Sequence, residues 1–126
     1  MKIFNGTPHA ITIIEGAEFN PSIRKYIGGE AVLHIPSDGM LNAKISSTYV
    51  GYAGKEEQIP VYLKQFLEDE IDPLPEGYDL YIVSALYSAA AQKSGMDLKK
   101  IHTIADPVYT SDGMTILGCR GICPAF

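Results

Sequence analysis

Two arginines, three histidines and two cysteines are the scarce chemistry-bearing side chains of this 126-residue chain. Arg24 and Arg120 carry its only guanidinium groups, which suit phosphate oxygens or, equally ordinarily, surface ion pairs. His9 follows a proline in a turn, whereas His34 and His102 alternate into strands. Acid or base work would require a positioned partner for each, and a hydrogen-bonded structural histidine is the ordinary alternative. Cys119 and Cys123 flank "RGI", too few thiols for a disulfide scaffold or a four-ligand zinc site, and they read as small buried residues of a reducing compartment. The sequence contains no GxxxxGK[ST] loop, no GxGxxG after a strand, no GxSxG elbow and no HExxH.

A different kind of site is offered by "YDLYIVSALYSAAAQ", residues 78–92, where an apolar strand runs into an alanine-rich helix. The first amides of a helix lack intrahelical partners and the dipole is positive there, so anionic groups settle at such a junction without a glycine-rich loop. Ser84 stands at the join, and Tyr81 and Tyr87 are close enough in sequence to give a base a stacking surface. Alanines 89–91 permit close approach by a ligand or a second helix, or else pack the helix on its own sheet.

The elements that must position these residues are short. "KIFN" and "AITII" read as strands around a "GTPH" turn, forming a hairpin-like edge, and "NGT" is a turn rather than a glycan acceptor. Residues 15–30 read as a loop with one helical turn, carrying Arg24, Lys25 and Tyr26. "AVLHIP" and "MLNAKISSTYV" read as a second hairpin around "SDG", and "IPVYLKQF" as a half-buried strand. "LEDEIDPLPEG" reads as a solvated connector. "YDLYIVS" is the best central strand, and the helix after it is capped by Ser84 and ended by Gly95. Three further short strands follow around a second "SDG" turn. The expected class is α+β: a small, mainly antiparallel sheet with one or two helices, in a single domain spanning 1–126.

Formal net charge is −5 and the pI about 5.0, which argues against a sequence-independent grip on duplex nucleic acid. Any nucleotide ligand is therefore small and held in a pocket. No stretch approaches the roughly 20 apolar residues of a membrane span, and the start shows no signal-peptide pattern, so a cytosolic protein without membrane partners is expected.

Taken in order, "MKIFNGTPHAITI", "IPSDG", "GYDLYIVSALYSAAAQ", "DPVYTSDG" and "LGCRGICPAF" resemble the small phage proteins of the first type of Thoeris anti-defence, along the whole chain. The resemblance implies a protomer that assembles into dimers arranged as a hexamer in the cytoplasm of an infected bacterium. It implies capture, without cleavage or cofactor, of cyclic ADP-ribose isomers made by TIR-domain enzymes. A second site for cyclic oligonucleotides, including trinucleotides, is also implied. Carried over by motif, Ile82, Ser84, Tyr87, Gln92, Asp106, Tyr109 and Thr110 fall at the cyclic ADP-ribose site, and Arg24 and Ala90 near the second. The chain departs from the family pattern at Ile82, where an aromatic residue is expected, and at Tyr109, where an arginine is expected. Arg120 or a backbone amide would then supply the phosphate clamp.

A non-enzymatic sponge agrees with the sequence having none of the motifs sought above. The alternatives are a hydrolase that opens a cyclic nucleotide with His9 or His102, and a structural or virion-accessory oligomer whose apolar surfaces serve self-association, to which the alanine-rich helix and the tail ending in Phe126 would contribute.

Overall fold

The computed structural model describes residues 1–125, and the side chains of all of these except Ile45 and residues 65–69. Ten strands and one helix follow in the order β1 (Ile3–Asn5), β2 (Ile11–Glu15), β3 (Glu18–Asn20), β4 (Lys25–Ile27), β5 (Glu30–Ile35), β6 (Ala43–Ala53), β7 (Ile59–Ile71), β8 (Leu80–Ile82), α1 (Ala85–Lys93), β9 (Ile101–Tyr109) and β10 (Ile116–Pro124). The fold is mostly β, a single domain. The main sheet runs β1-β8-β9-β10-β2-β5, with β4 added to the far end of β9 and β3 to β4; β6 and β7 form a separate two-stranded sheet.

Pairing is mixed. The long ladders β9–β10 and β2–β5 and the short β3–β4 are antiparallel, while β1–β8, β8–β9, β4–β9 and β10–β2 are parallel. Two expected hairpins are therefore corrected. β1 pairs with β8 and β2 with β10 and β5, because the "GTPH" loop carries the chain across the sheet instead of folding it back. β5 likewise returns on β2, and β6 pairs with β7. The expected loop at 15–30 is itself a hairpin, β3–β4, whose turn starts with Ser22 N–H donating to Asn20 Oδ1 at 2.9 Å. The expected connector at 67–77 is also shortened, since β7 runs as far as Ile71.

Strand β8 is short and, instead of the centre of the sheet, takes the place beside the edge strand β1; its pleat feeds two cores. Tyr81, with Val83 beyond the strand, faces Phe4, Leu41, Tyr87, Ala91 and Ile101, a cluster roofed by α1. Ile82 faces the other way, onto Ile11 and Cys119. The α1 segment is helical because alanine and leucine favour it and because both ends carry capping residues. Ser84 Oγ accepts from Tyr87 N–H at 3.1 Å, and the helix stops at Ser94 with Gly95 at φ +74°, a conformation glycine adopts freely. Both ends match the reading from sequence, and α1 is the one helix among the described residues.

Asn5 closes the curl of the sheet. Wholly buried at the end of β1, its Nδ2 donates to His9 O at 3.0 Å and to Ile35 O at the end of β5, and its Oδ1 accepts from Thr7 N–H and hydroxyl. The first strand and the last strand of the sheet order are thereby tied at one corner. No helix among the described residues is long and apolar enough to cross a membrane.

Candidate functional site

A groove runs along the wall built by the β1–β2 loop and β2 on one side and β9–β10 on the other. One end, about 350 Å³, is lined by Thr7, Pro8, Val83, Ser84, Ala85 and Thr103. The other, about 400 Å³, is lined by Thr12, Pro107, Ile116, Leu117, Gly118 and Cys119. His9, Ala10, Ile11 and Ile104 border both, so the two concavities adjoin along these four residues. Both lie within the volume range of small-molecule sites.

The wall is held by the Asn5 network. His9 is exposed, but its carbonyl accepts from Asn5 Nδ2 and lies 3.0 Å from the Thr7 hydroxyl, so the loop carrying it cannot lift without breaking buried hydrogen bonds. Across the groove, Gly118 lets β10 approach β2: a methyl group there would fall 2.3 Å from Thr12 O. At the helix end, the first intrahelical bond is Ser88 N–H to Ser84 O at 3.0 Å, which leaves the amides of Ala85 and Leu86 without an intrahelical acceptor. Apolar walls beside an electropositive helix end suit a small anion with an apolar or aromatic body.

Among the residues expected from sequence, Ser84 lines this groove. Ile82, Tyr87 and Ala90 do not: each is at most 1% exposed, and they support the wall from the core. The expected stacking pair is corrected for the same reason. Tyr81 and Tyr87 bury their rings and donate their hydroxyls to Pro75 O and Asp72 O, which pins the β7–β8 connector and leaves no free ring face. Burial, assisted by the nearby Asp72 carboxylate, holds the Tyr87 hydroxyl above its ordinary pKa. Gln92 is exposed near the far end of α1, roughly 12 Å along the axis from Ser84.

The other expected residues gather at a second corner, where β9 lies between β10 and β4. Arg120 stands across from Asp106, between the register pairs Cys119–Pro107 and Gly121–Ala105, and donates from Nη1 to Asp106 Oδ2 at 3.0 Å. Its guanidinium carbon lies 4.3 Å from the Tyr26 ring centroid, and Phe19 packs edge-on against that ring at 5.3 Å. Lys25 Nζ sits 4.4 Å from the Tyr109 centroid and donates to Gly113 O at 2.8 Å. Lys25 and Tyr26 are successive residues of one strand, so the two cation-on-ring contacts occupy opposite faces. Thr110 closes the β9–β10 turn by donating its hydroxyl to Asp112 Oδ1 and accepting from Thr115 N–H at 3.2 Å. Arg24, in the β3–β4 turn at φ 55°, is exposed.

Comparison of the chain with family models, with curated proteins and with solved structures finds no match in any of the three. The site is therefore read from its own chemistry. Among the described residues no three His, Cys, Asp or Glu side chains gather where they could hold a metal ion. His34 Nδ1 lies 3.3 Å from Thr12 Oγ1 and His102 Nδ1 3.0 Å from Lys100 O, whereas His9 borders the groove. Burial raises the Cys119 thiol above its usual pKa, so the one sulfur lining the groove is held protonated.

Sequence reasoning missed Ala10, Ile11 and Ile104 as groove walls and Tyr26 as the platform under Arg120. The signal for Tyr26 was present, since Phe19 and Tyr26 flank an Asn-Pro turn at the register of a hairpin. The groove had no such signal, because it is bounded by strands that pair over long sequence separations.

Proposed function

We propose that this chain is a binding protein that sequesters cyclic ADP-ribose isomers made by TIR-domain enzymes and holds them without cleavage, as the resemblance to Thoeris anti-defence proteins implies. The observation that carries this reading is the groove itself: apolar walls from Ala10, Ile11 and Ile104 leading to the Ser84-capped start of α1. An adenine ring suits the walls and a phosphate suits the helix end. The Arg120–Tyr26 corner is a second place where a phosphate and a base could be held, by guanidinium and ring. Arg24, exposed in the adjoining turn, is assigned to the cyclic oligonucleotide, so Arg24→Ala weakens oligonucleotide binding and spares the first ligand.

Titration with cyclic ADP-ribose isomers tests the groove. Ala10→Trp fills it from an exposed position and is expected to abolish capture while the chain remains folded. Undiminished affinity in that variant removes the groove from the account.

One observation favours a hydrolase as the second reading: His9 borders both ends of the groove, where it could draw a proton from water attacking the ring-closing bond. Linear ADP-ribose released with turnover, and its loss in His9→Ala, would establish that reading in place of sequestration.

A further inference from the structure

The groove carries one side chain whose charge switches near neutral pH. Of the described residues that border it, only His9 and Cys119 titrate, and burial keeps the Cys119 thiol protonated. The rest are aliphatic residues, glycine, prolines and hydroxyl residues. His9 stands where the two ends of the groove meet. Its carbonyl accepts from Asn5 Nδ2 at 3.0 Å, yet its exposed imidazole has no hydrogen-bond or ion-pair partner among the described residues. A pinned backbone thus presents an unengaged ring to a cavity.

The charged and titratable groups around it are engaged elsewhere. On the connector after β5, Asp38 Oδ2 accepts from Asn5 N–H at 2.9 Å. On β5, His34 Nδ1 lies 3.3 Å from Thr12 Oγ1, and on β9, His102 Nδ1 lies 3.0 Å from Lys100 O. On β10, Arg120 is paired with Asp106. The first turn of α1 holds no acidic residue. At the Ser84 end of the groove, His9 shares one concavity with Ala85, whose amide lacks an intrahelical acceptor. A diphosphate brings two anionic groups, and this concavity offers two places for them: the helix start and, once protonated, the His9 ring.

We propose that His9 is a specificity-determining residue of the groove, its imidazolium form binding phosphate oxygens of the ligand, so that capture is coupled to uptake of a proton. This deepens the reading of the groove as the capture site and rests on it. A neutral imidazole offers one N–H and no charge, whereas the imidazolium offers a charge-assisted hydrogen bond. By linkage, a ligand that prefers the protonated form binds more tightly as pH falls through the imidazole's titration and more weakly as it rises. The hydrolase reading demands the reverse, since a general base acts as the neutral ring.

The test is calorimetric titration of the intact chain with a cyclic ADP-ribose isomer between about pH 5.5 and pH 8, in two buffers of unlike ionisation enthalpy, which counts the protons taken up. NAD, with the same adenine and a diphosphate that does not titrate in this range, is a second probe. Wild-type affinity is expected to fall about ten- to a hundredfold across the range, with proton uptake on binding near neutral pH. His9→Gln is expected to bind weakly at every pH and His9→Lys tightly at every pH, both with the wild-type melting temperature. His34→Gln, the control, keeps the wild-type response. A pH-independent wild type, a response that survives His9→Gln, or one that His34→Gln abolishes overturns the inference. The same response toward NAD with no capture of any cyclic ADP-ribose isomer supports the inference and removes the proposed ligand. Binding of neither probe at any pH overturns both.

Discussion

Arg120 reaches across β9 from β10 to lie over the ring of Tyr26 on β4, 4.3 Å from the ring centroid, while its Nη1 donates to Asp106 at 3.0 Å. The guanidinium is thus fixed by a carboxylate and a ring; Tyr26 is half-buried, whereas the Asp106 carboxylate is exposed enough to be displaced by a ligand. The exposed ion pair contributes little to stability, so its removal is read in binding rather than in folding.

Arg120→Ala and Asp106→Asn are expected to move capture of a cyclic ADP-ribose isomer in opposite directions. Loss of a charge-assisted hydrogen bond, about 1.5–3 kcal/mol, weakens binding by about ten- to a hundredfold. Asp106→Asn removes the competing carboxylate and strengthens binding a few-fold. Calorimetric titration reads both, and equal affinities in the two variants would detach this corner from the ligand.

Ser84 has two roles that a pair of substitutions separates. Ser84→Ala loses the helix cap at a cost of about 1 kcal/mol, which lowers the melting temperature by a few degrees. Ser84→Asp caps as well as serine but places a negative charge at the groove end, so it keeps the melting temperature and loses the anionic ligand. Normal capture by Ser84→Asp would exclude a phosphate from the helix start.

Gly118 and Gly121 lie on the same strand but in different surroundings. A methyl group at Gly118 meets Thr12 O, whereas at Gly121 it meets nothing within 4 Å. Gly118→Ala should shift the urea midpoint by the equivalent of about 1–3 kcal/mol, and Gly121→Ala by about 0.5 kcal/mol or less. Similar midpoints for the two would contradict the close passage of β10 against β2.

The β9–β10 turn is expected to loosen in acid. The Thr110 hydroxyl, then the Met114 N–H, hold the Asp112 carboxyl below its ordinary pKa. A depressed carboxyl stabilises the fold above the ordinary value and loses that effect as pH falls through the folded-state value. Protection factors at Met114 and Thr115, with the intrinsic pH dependence of amide exchange divided out, should fall over that interval in the wild type and stay constant in Asp112→Asn.

Local chemistry was legible in the sequence and long-range pairing was not. Ser84 and Gly95 announced both ends of α1, because caps are decided by residues within one turn of the helix. "YDLYIVS" announced a strand by its run of aromatic and branched side chains, of which Leu80–Ile82 alone form β8. That β1 would lie beside β8, with Ile3 at the register of Leu80, had no local signal, since parallel partners need no tight turn between them. The site divided the same way. Ser84 lines the groove because it starts the helix, and Asp106, Tyr109 and Thr110 are neighbours because they share one strand and its turn. The burial of Ile82, Tyr87 and Ala90 depended on which side of β8 and α1 met a core, which only the assembled sheet decides.

The most direct measurement is the chemical state of what the protein holds. Purified protein is incubated with product from an activated TIR-domain enzyme, freed of unbound material and heat-denatured, and the released filtrate is read by mass spectrometry. Intact cyclic ADP-ribose isomer, in stoichiometric amount, is the predicted result. Linear ADP-ribose in the filtrate, or no nucleotide at all, would contradict sequestration.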